Sequence, residues 1–142
     1  MHAVYLSLGS NLGHRHATLL RAIDLLTHRV GPLIRASSFI QTEPWGFASP
    51  HPFLNACVLL HTHLEPFALL EETQAIERQL GRTEKTAPVP SAAGTLPRYA
   101  DRPIDIDILL YDDLHLQTPR LTIPHPLMQQ RPFVMRPLQE IL

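Results

Sequence analysis

The strongest constraint on the fold is an apolar run near the middle of the chain. Residues 53–62 (FLNACVLLHT) are apolar except at Asn55 and the last two positions. A strand with one solvated face would instead alternate apolar and polar side chains. The run therefore predicts a central strand that is covered on both faces. A chain of 142 residues is long enough to enclose such a strand in one domain, spanning residues 1–142.

The segments around this strand predict an alternation of strands and helices. Their apolar side chains recur at spacings typical of each element. The predicted strand, helix, two strands, helix and strand lie at residues 3–8, 13–29, 33–41, 53–62, 65–81 and 104–111. This β-α-β-β-α-β order predicts an α+β, ferredoxin-like sandwich, in which an antiparallel sheet carries both helices on one face. The fold alone implies no function.

Several smaller features complete the predicted structure. Ser10 or Asn11 is expected to cap the first helix. Residues 114–123 and 133–138 suggest two short extended C-terminal pieces, separated by a turn or short helix near residues 127–130.

Composition limits the classes of protein that fit. The formal net charge is −1, so no overall field draws the chain to nucleic acid or to a membrane. Cys57 is the only cysteine, which excludes an internal disulfide and thiolate zinc clusters, and we expect a small buried side chain there. No apolar run approaches the roughly 20 residues of a membrane span. A soluble cytoplasmic protein is therefore expected.

The strongest local motif is a pair of acids in the last predicted strand. Alternation places Asp105 and Asp107 on one face, with Cβ atoms roughly 7 Å apart. Two carboxylates at this spacing repel each other, and one or two Mg²⁺ ions would relieve the conflict. The alternative is an ordinary solvated strand face. The opposite, core-facing side is expected to carry Ile104, Ile106, Ile108 and Leu110.

Other polar residues are candidates for ligand contacts. His125 and Arg131 are donors that suit a phosphate, although taken alone they are more often a loop histidine and a surface arginine without a ligand. Gln74 and Glu77 share one face of the second helix, where solvation is the alternative. Asn55 interrupts an apolar strand, so its carboxamide needs partners. It either ties down backbone or binds the edge of a planar heterocycle.

Six separated motifs together resemble the 6-hydroxymethyl-7,8-dihydropterin pyrophosphokinase family. The motifs are LSLGSNLG (6–13), SSFIQTEPWG (37–46), PFLNACV (52–58), TQAIERQLGR (73–82), RPIDIDILLY (102–111) and LTIPHPLMQQRPFVMRPL (121–138). The resemblance implies a ferredoxin-like fold. It also implies transfer of the β,γ-diphosphate of ATP to the hydroxymethyl group of the pterin, with release of AMP, in folate biosynthesis.

The resemblance also implies roles for individual residues. Asp105 and Asp107 would bind two Mg²⁺, and Asp107 is a candidate acceptor of the hydroxyl proton. Arg82 and Arg102 would neutralise charge on the transferring group. The implied ATP-binding residues are Gln74, Glu77, Ile108, Thr122, His125 and Arg131, with Glu77 on the ribose. The implied pterin-binding residues are Thr42, Pro44, Trp45, Phe53, Asn55 and Phe133, with Phe133 stacked on the ring.

Two other classes of function fit part of the pattern. One is a non-catalytic ferredoxin-like module that binds a ligand or RNA; the absence of a basic patch and of paired surface aromatics argues against RNA. The other is a two-metal phosphohydrolase, which would release phosphate from ATP without a pterin. The expected partners are the two small substrates, with neither nucleic acid nor membrane, and a monomer is expected.

Overall fold

The described part of the chain folds into three layers around a five-stranded antiparallel sheet. This computed structural model describes residues 1–43, 50–81 and 103–142. The elements are β1 (His2–Ser10), α1 (Arg15–Arg29), β2 (Leu33–Ala36), β3 (Ile40–Thr42), β4 (Phe53–Thr62), α2 (Pro66–Gln79), β5 (Asp105–Tyr111), β6 (Leu116–Gln117), β7 (Thr122–Ile123), a 3₁₀ helix (Met128–Gln130) and α3 (Pro132–Ile141). Strands β6 and β7 form a separate two-stranded sheet.

The five main strands follow the ferredoxin-like order. Strand order is β2-β4-β1-β5, with β3 also paired to β4. Strand β4 pairs with β1 along its length, from Ser10 opposite Leu54 to His2 opposite Thr62. Strands β2 and β3 pair with its other edge. The apolar run therefore forms a central strand, as predicted. The predicted 33–41 strand is divided into β2 and β3.

The first face of the sheet carries the main hydrophobic core. Helices α1 and α2 both pack on this face, which confirms the predicted sandwich. The largest fully buried side chains of this cluster are Leu6, Leu8, Leu19, Leu26, Leu60, Leu69, Ile76, Ile104 and Ile123. At about 25 cal/mol per Å² of apolar area, burial of this kind is the main stabilising contribution. No helix in the described ranges is long and apolar enough to cross a bilayer.

The second face of the sheet is covered by α3, which corrects the extended structure predicted for residues 133–138. Six residues with an internal Pro137 do not distinguish a spacing of 2 from one of 3.6 residues. The whole segment Pro132–Ile141 does distinguish them, because its buried apolar residues recur every three to four positions. Pro132 also fits the first turn of a helix. This cluster consists of Cys57, Leu59, Leu109, Met128, Val134, Leu138 and Ile141.

A bulge in β5 corrects the predicted strict alternation. Tyr5 lies opposite Leu110, and Leu6 lies opposite Ile108, so Leu109 is the extra residue. As a result, Leu109 and Leu110 both pack on the α3 side of the sheet. The alternation upstream of the bulge is unaffected.

The segment between β1 and α1 also differs from the prediction. Ser10 belongs to β1, and the residue that caps α1 is His14, without a side-chain hydrogen bond to the helix. Gly13 has φ +68, which places the turn later than Ser10 or Asn11. The Asn11 side chain instead donates through Nδ2 to the His51 carbonyl at 3.1 Å.

A hydrogen-bonded connection ties α3 to the turn between β2 and β3. Glu140 Oε1 accepts from the Ser38 backbone N–H and from Ser38 Oγ, both at 2.9 Å. These bonds hold the pKa of the Glu140 carboxyl below its usual value. Ser37 continues the connection into the sheet, since its Oγ accepts from the Cys57 N–H at 2.9 Å. The third layer is thereby fixed to the sheet edge.

Cys57 is expected to be chemically inert in the folded protein. Its side chain is fully buried, as predicted, and burial raises the pKa of the thiol to about 12. At pH 8 only about one thiol in ten thousand would then be ionised. We expect a thiol-specific chromogenic reagent to label the native protein at least about a thousandfold more slowly than the urea-unfolded protein. Rapid labelling under native conditions would contradict this burial.

Candidate active site

The two acids of β5 lie on the face of the sheet that α3 covers. Asp107 is opposite Ser7 of β1, and Asp105 is opposite Gly9. Neighbouring Ile104, by contrast, is fully buried in the core on the other face. Both carboxylates are partly exposed to solvent, so they are accessible to a ligand.

These acids line what we call the central cleft, with a volume of about 440 Å³ including space open to solvent. Four of the residues predicted to bind a heterocycle also line the cleft. Strands β1, β3, β4 and β5 and the start of α3 supply its walls. The lining residues are Ser7, Gly9, Thr42, Glu43, Phe53, Asn55, Asp105, Asp107, Arg131 and Phe133.

Asn55 is held in a fixed orientation at the floor of the central cleft. Its side chain is 3% exposed, and Nδ2 donates to Thr42 Oγ1 at 2.5 Å. A Cβ atom at Gly9 would lie 3.0 Å from Asn55 Oδ1 and 3.5 Å from Phe53 Cδ1. Glycine therefore leaves the space beside the amide open. Of the two alternatives for Asn55, side-chain fixation next to a cleft favours a ligand-binding role.

The start of α3 brings a cation and an aromatic ring into the central cleft. Arg131 caps the helix and is 8% exposed. Its Nη1 lies 3.9 Å from Asp107 Oδ2, and its Cζ lies 5.7 Å from the centre of the Phe133 ring. The structure thus places Arg131 beside the predicted metal-binding acids, rather than in the second cavity described next.

The second cavity, here the outer groove, lies on the other side of β5. It has a volume of about 570 Å³, including open space, and Asp107 lines it as well as the central cleft. Three predicted nucleotide-binding residues line this groove: Ile108, Thr122 and His125. The remaining lining residues are Leu70, Ile106, Thr118, Pro119, Arg120, Leu121 and Pro126.

His125 is fixed by its own turn. Its backbone N–H donates to the Leu109 carbonyl at 3.0 Å, and its Nδ1 accepts from the Leu127 N–H at 3.2 Å. Because Nδ1 accepts, the proton of the neutral ring resides on Nε2. His125 is therefore a hydrogen-bond donor on the wall of the outer groove.

Two predicted nucleotide-binding residues, Gln74 and Glu77, line neither cavity. Glu77 is 2% exposed, and its Oε2 accepts from the Ile106 N–H at 2.8 Å. Since β5 is at the edge of the sheet, this bond satisfies a backbone group that has no partner strand. Glu77 thus joins α2 to the strand of the acid pair, and its contact with a ribose stays a prediction.

Replacing Glu77 with alanine is expected to destabilise the fold. The change leaves the Ile106 N–H without this acceptor in a buried position, so the free energy of unfolding should fall by about 2–3 kcal/mol. Glu77→Gln keeps an acceptor oxygen and should cost about 1 kcal/mol. Urea denaturation of both variants provides the measurement. Equal stability of wild type and Glu77→Ala would contradict the proposed contribution of this bond.

Four predicted site residues lie outside the described residues: Pro44, Trp45, Arg82 and Arg102. Conversely, the cavities contain residues that the sequence did not indicate. Ser7 and Gly9 line the central cleft. Ser7 had a detectable signal, because it is a polar residue on the strand face opposite Val4, Leu6 and Leu8.

Arg120 is a further cavity residue that the sequence motifs did not indicate. It lines the outer groove, with Cζ 5.5 Å from the centre of the Phe67 ring and Nη2 4.0 Å from Glu71 Oε1. Its position directly before the Leu-Thr-Ile-Pro-His125 motif could have indicated that it lies near the same cavity. Arg120 adds a cation to the same wall as His125.

The carboxylate oxygens of the site suit a hard divalent cation that also binds oxygens of a substrate. Asp105 and Asp107 supply two carboxylates at the edge of the central cleft. Within residues 1–43, 50–81 and 103–142, no group of three or more histidine, cysteine, aspartate or glutamate side chains could enclose a metal. Mg²⁺ is typically held by one or two carboxylates, with waters and substrate phosphates completing its shell. The residues present therefore fit Mg²⁺.

Two adjoining cavities with a common carboxylate favour an enzyme that brings two ligands together. Residues 5–142 match the family model described as 7,8-dihydro-6-hydroxymethylpterin-pyrophosphokinase (HPPK), and the chain belongs to this family. A 2-amino-4-hydroxy-6-hydroxymethyldihydropteridine pyrophosphokinase of Porphyromonas gingivalis is 55% identical, over 99% of this chain and 91% of the relative. The Bacillus subtilis protein of the same name is 41% identical, over 96% and 76%.

Solved structures support the fold. A crystal structure of Plasmodium falciparum HPPK-DHPS, wild type with SDX-DHP, aligns with a TM-score of 0.69 at 15% identity. The alignment covers 99% of this chain and 40% of that chain. The present chain therefore spans about two fifths of the solved protein, and at this identity the likeness concerns the fold alone.

Proposed function

We propose that the protein transfers the β,γ-diphosphate of ATP to the hydroxymethyl group of 6-hydroxymethyl-7,8-dihydropterin, with AMP as the second product, in folate biosynthesis. The observation that carries this proposal is that Asp107 lines both cavities. A direct transfer requires the acceptor oxygen and the phosphorus of the donor to lie about 3–3.5 Å apart. Two ligands that meet at Asp107 would bring these atoms into proximity.

The central cleft suits the pterin. Asn55 presents an amide to the edge of a planar ring, and amides pair well with heterocycles that carry both donors and acceptors. Phe53 and Phe133 are aromatic walls of the same cleft. Thr42 fixes the amide. We propose, from the resemblance of the sequence, that Pro44 and Trp45 also bind the pterin. An aromatic-lined cleft with few fixed polar groups is typical of a small-molecule site.

The outer groove suits ATP. Ile108 and Thr122, with neighbouring apolar residues, line the part of the groove proposed for the base. His125 and Arg120 are donors that suit its phosphates. We propose Gln74 and Glu77 as further contacts of the nucleotide, and Arg131 as a contact of the phosphates where they approach the central cleft.

Chemistry of this kind depends mainly on positioning and electrostatic stabilisation. The hydroxymethyl oxygen of the pterin forms a bond with the β-phosphorus, the bond from that phosphorus to the α,β-bridging oxygen breaks, and AMP leaves. Asp107 is the proposed acceptor of the hydroxyl proton. Arg131 neutralises charge beside it, and Arg82 and Arg102 are proposed to do the same. Two Mg²⁺ held by Asp105 and Asp107 would supply further neutralisation of the triphosphate.

We further propose that a single chain suffices for activity and that the reaction takes place in the cytoplasm. Both cavities are formed by elements of one chain and meet at one residue, Asp107.

Product analysis tests the proposed reaction. The protein is incubated with ATP, Mg²⁺ and the hydroxymethyl dihydropterin, and the products are separated by chromatography. AMP and the pterin diphosphate should appear in equal amounts, with no AMP when the pterin is omitted. Release of inorganic phosphate without pterin would favour a phosphohydrolase. Binding of both ligands without any product would favour a non-catalytic module.

A further inference from the structure

Arg15 connects three segments of the chain beside the central cleft. Its Nη1 donates to the Pro52 carbonyl at 2.9 Å, and its Nη2 donates to Gln41 Oε1 at 3.0 Å. Pro52 directly precedes β4, and Gln41 belongs to β3. One guanidinium of α1 thus holds the start of one strand and the middle of another.

The position of Arg15 is not explained by the stability of α1. It is the first residue of the helix, where the helix dipole disfavours a positive charge. The first turn has no acidic residue, and the capping His14 makes no side-chain hydrogen bond to the helix. The cation gains its partners outside the helix, through the two contacts described above.

The residues held by Arg15 adjoin two walls of the central cleft. Gln41 precedes Thr42, Pro52 precedes Phe53, and Thr42 lies opposite Phe53 in the sheet. Thr42 and Phe53 both line the cleft. Strand β3 has only three residues and, among the described strands, pairs with β4 alone, so few backbone bonds from these strands hold it. Its position therefore depends on side-chain contacts such as that of Arg15.

We infer that Arg15 is a positioning residue for the acceptor side of the site. It fixes Thr42, and through Thr42 the orientation of the Asn55 amide, against the wall formed by Phe53. This inference rests on the proposed function, in which the pterin occupies the central cleft. Arg15 itself lines neither cavity, but the Thr42 and Phe53 beside its partners line the central cleft and not the outer groove, so its effect should be specific to the pterin and absent for ATP.

The test compares Arg15→Met with a control on the same helix, the exposed Arg21→Met. In Arg15→Met, we expect the KM for the pterin to rise about tenfold, the equivalent of one charge-assisted hydrogen bond of about 1.4 kcal/mol. The KM for ATP should stay within about twofold, and Arg21→Met should match wild type in both constants. Arg15→Lys keeps the charge but cannot donate two hydrogen bonds in the geometry of a guanidinium, so its KM for the pterin should be intermediate.

A double variant tests the proposed link. Gln41→Met alone should raise the KM for the pterin. Arg15→Met with Gln41→Met should raise it by clearly less than the product of the two single effects, because both changes remove one shared contact. A rise equal to that product would contradict the link. Thermal unfolding accompanies each assay to show that the variants are folded.

The outcomes separate this inference from the proposed function. Normal diphosphate transfer by wild type, with equal pterin KM values for Arg15→Met and Arg21→Met, would overturn the role of Arg15 alone. Equal rises in the KM for both substrates would also overturn it, since they indicate a general structural effect. A wild-type protein that neither binds nor converts the pterin would overturn both proposals.

Discussion

Replacement of Asp107 with asparagine is expected to lower kcat for AMP formation on the order of a thousandfold, about 4 kcal/mol of transition-state stabilisation. Asp107 lines both cavities, and its carboxylate is the proposed link between the divalent cations and the reacting groups. Asparagine has nearly the same shape but no negative charge, so it fits the cleft and weakens cation binding. Asp105→Asn is expected to show a loss of similar order.

The matched control for these variants is Asp113→Asn, two residues beyond the end of β5. Asp113 is exposed and lines neither cavity, so its replacement should leave kcat unchanged. Steady-state assays of AMP formation at saturating ATP, Mg²⁺ and pterin provide the measurement. Circular dichroism shows whether the sheet is intact. Near-normal turnover by folded Asp107→Asn would refute the proposed role of the acid pair.

Replacement of Asn55 with leucine is expected to weaken pterin binding on the order of a hundredfold, with ATP binding unchanged. Leucine has a similar volume but neither a donor nor an acceptor. It would therefore leave the polar edge of the heterocycle without partners at a site that is 3% exposed. Buried polar groups without hydrogen-bond partners lower the binding affinity strongly. Calorimetric titration with the pterin and, separately, with an ATP analogue provides the measurement.

Thr42→Val serves as the comparison for Asn55→Leu. It removes the hydroxyl that accepts from Asn55 Nδ2 but keeps the amide itself. We expect a loss of about tenfold in pterin affinity, since the amide loses its fixed orientation but keeps its hydrogen-bonding groups. If Asn55→Leu binds the pterin as tightly as wild type, the pterin does not contact this amide.

The sheet was predictable because its signals are long and consistent. Strand β4 begins at Phe53 and ends at Thr62, as the apolar run indicates. Two helices on one face follow from the order of the elements. The third helix was missed because residues 133–138 are few and contain Pro137. Its apolar period emerges only when Ile141 is included with Val134 and Leu138.

The covered second face of β4 nevertheless contained an indication of α3. Cys57 and Leu59 are apolar and point away from α1 and α2, so some further element had to bury them. Sequence periodicity shows that a face is apolar, but it does not identify the distant segment that packs on it. The bulge at Leu109 was unpredictable for a related reason, since it depends on the pairing of two strands.

The acid pair was predictable from local alternation. The other contacts of the site were not, because they join residues that are distant in the sequence. Asp105 and Asp107 share a face because they are two residues apart in a strand. The position of Arg131 beside Asp107 depends on where α3 begins, about two dozen residues later. The role of Gly9 depends on Asn55 from the neighbouring strand, and glycine shows no signal in the sequence until its neighbours are known.

The central claim is that Asp105 and Asp107 jointly bind divalent cations between the two substrates. Crystals grown with Mn²⁺, a non-hydrolysable ATP analogue and the pterin allow the cations to be located by anomalous scattering. The account predicts anomalous peaks bonded to both carboxylates, with the pterin in the central cleft and the nucleotide in the outer groove. Both substrates bound, with no peak at either carboxylate, would contradict it.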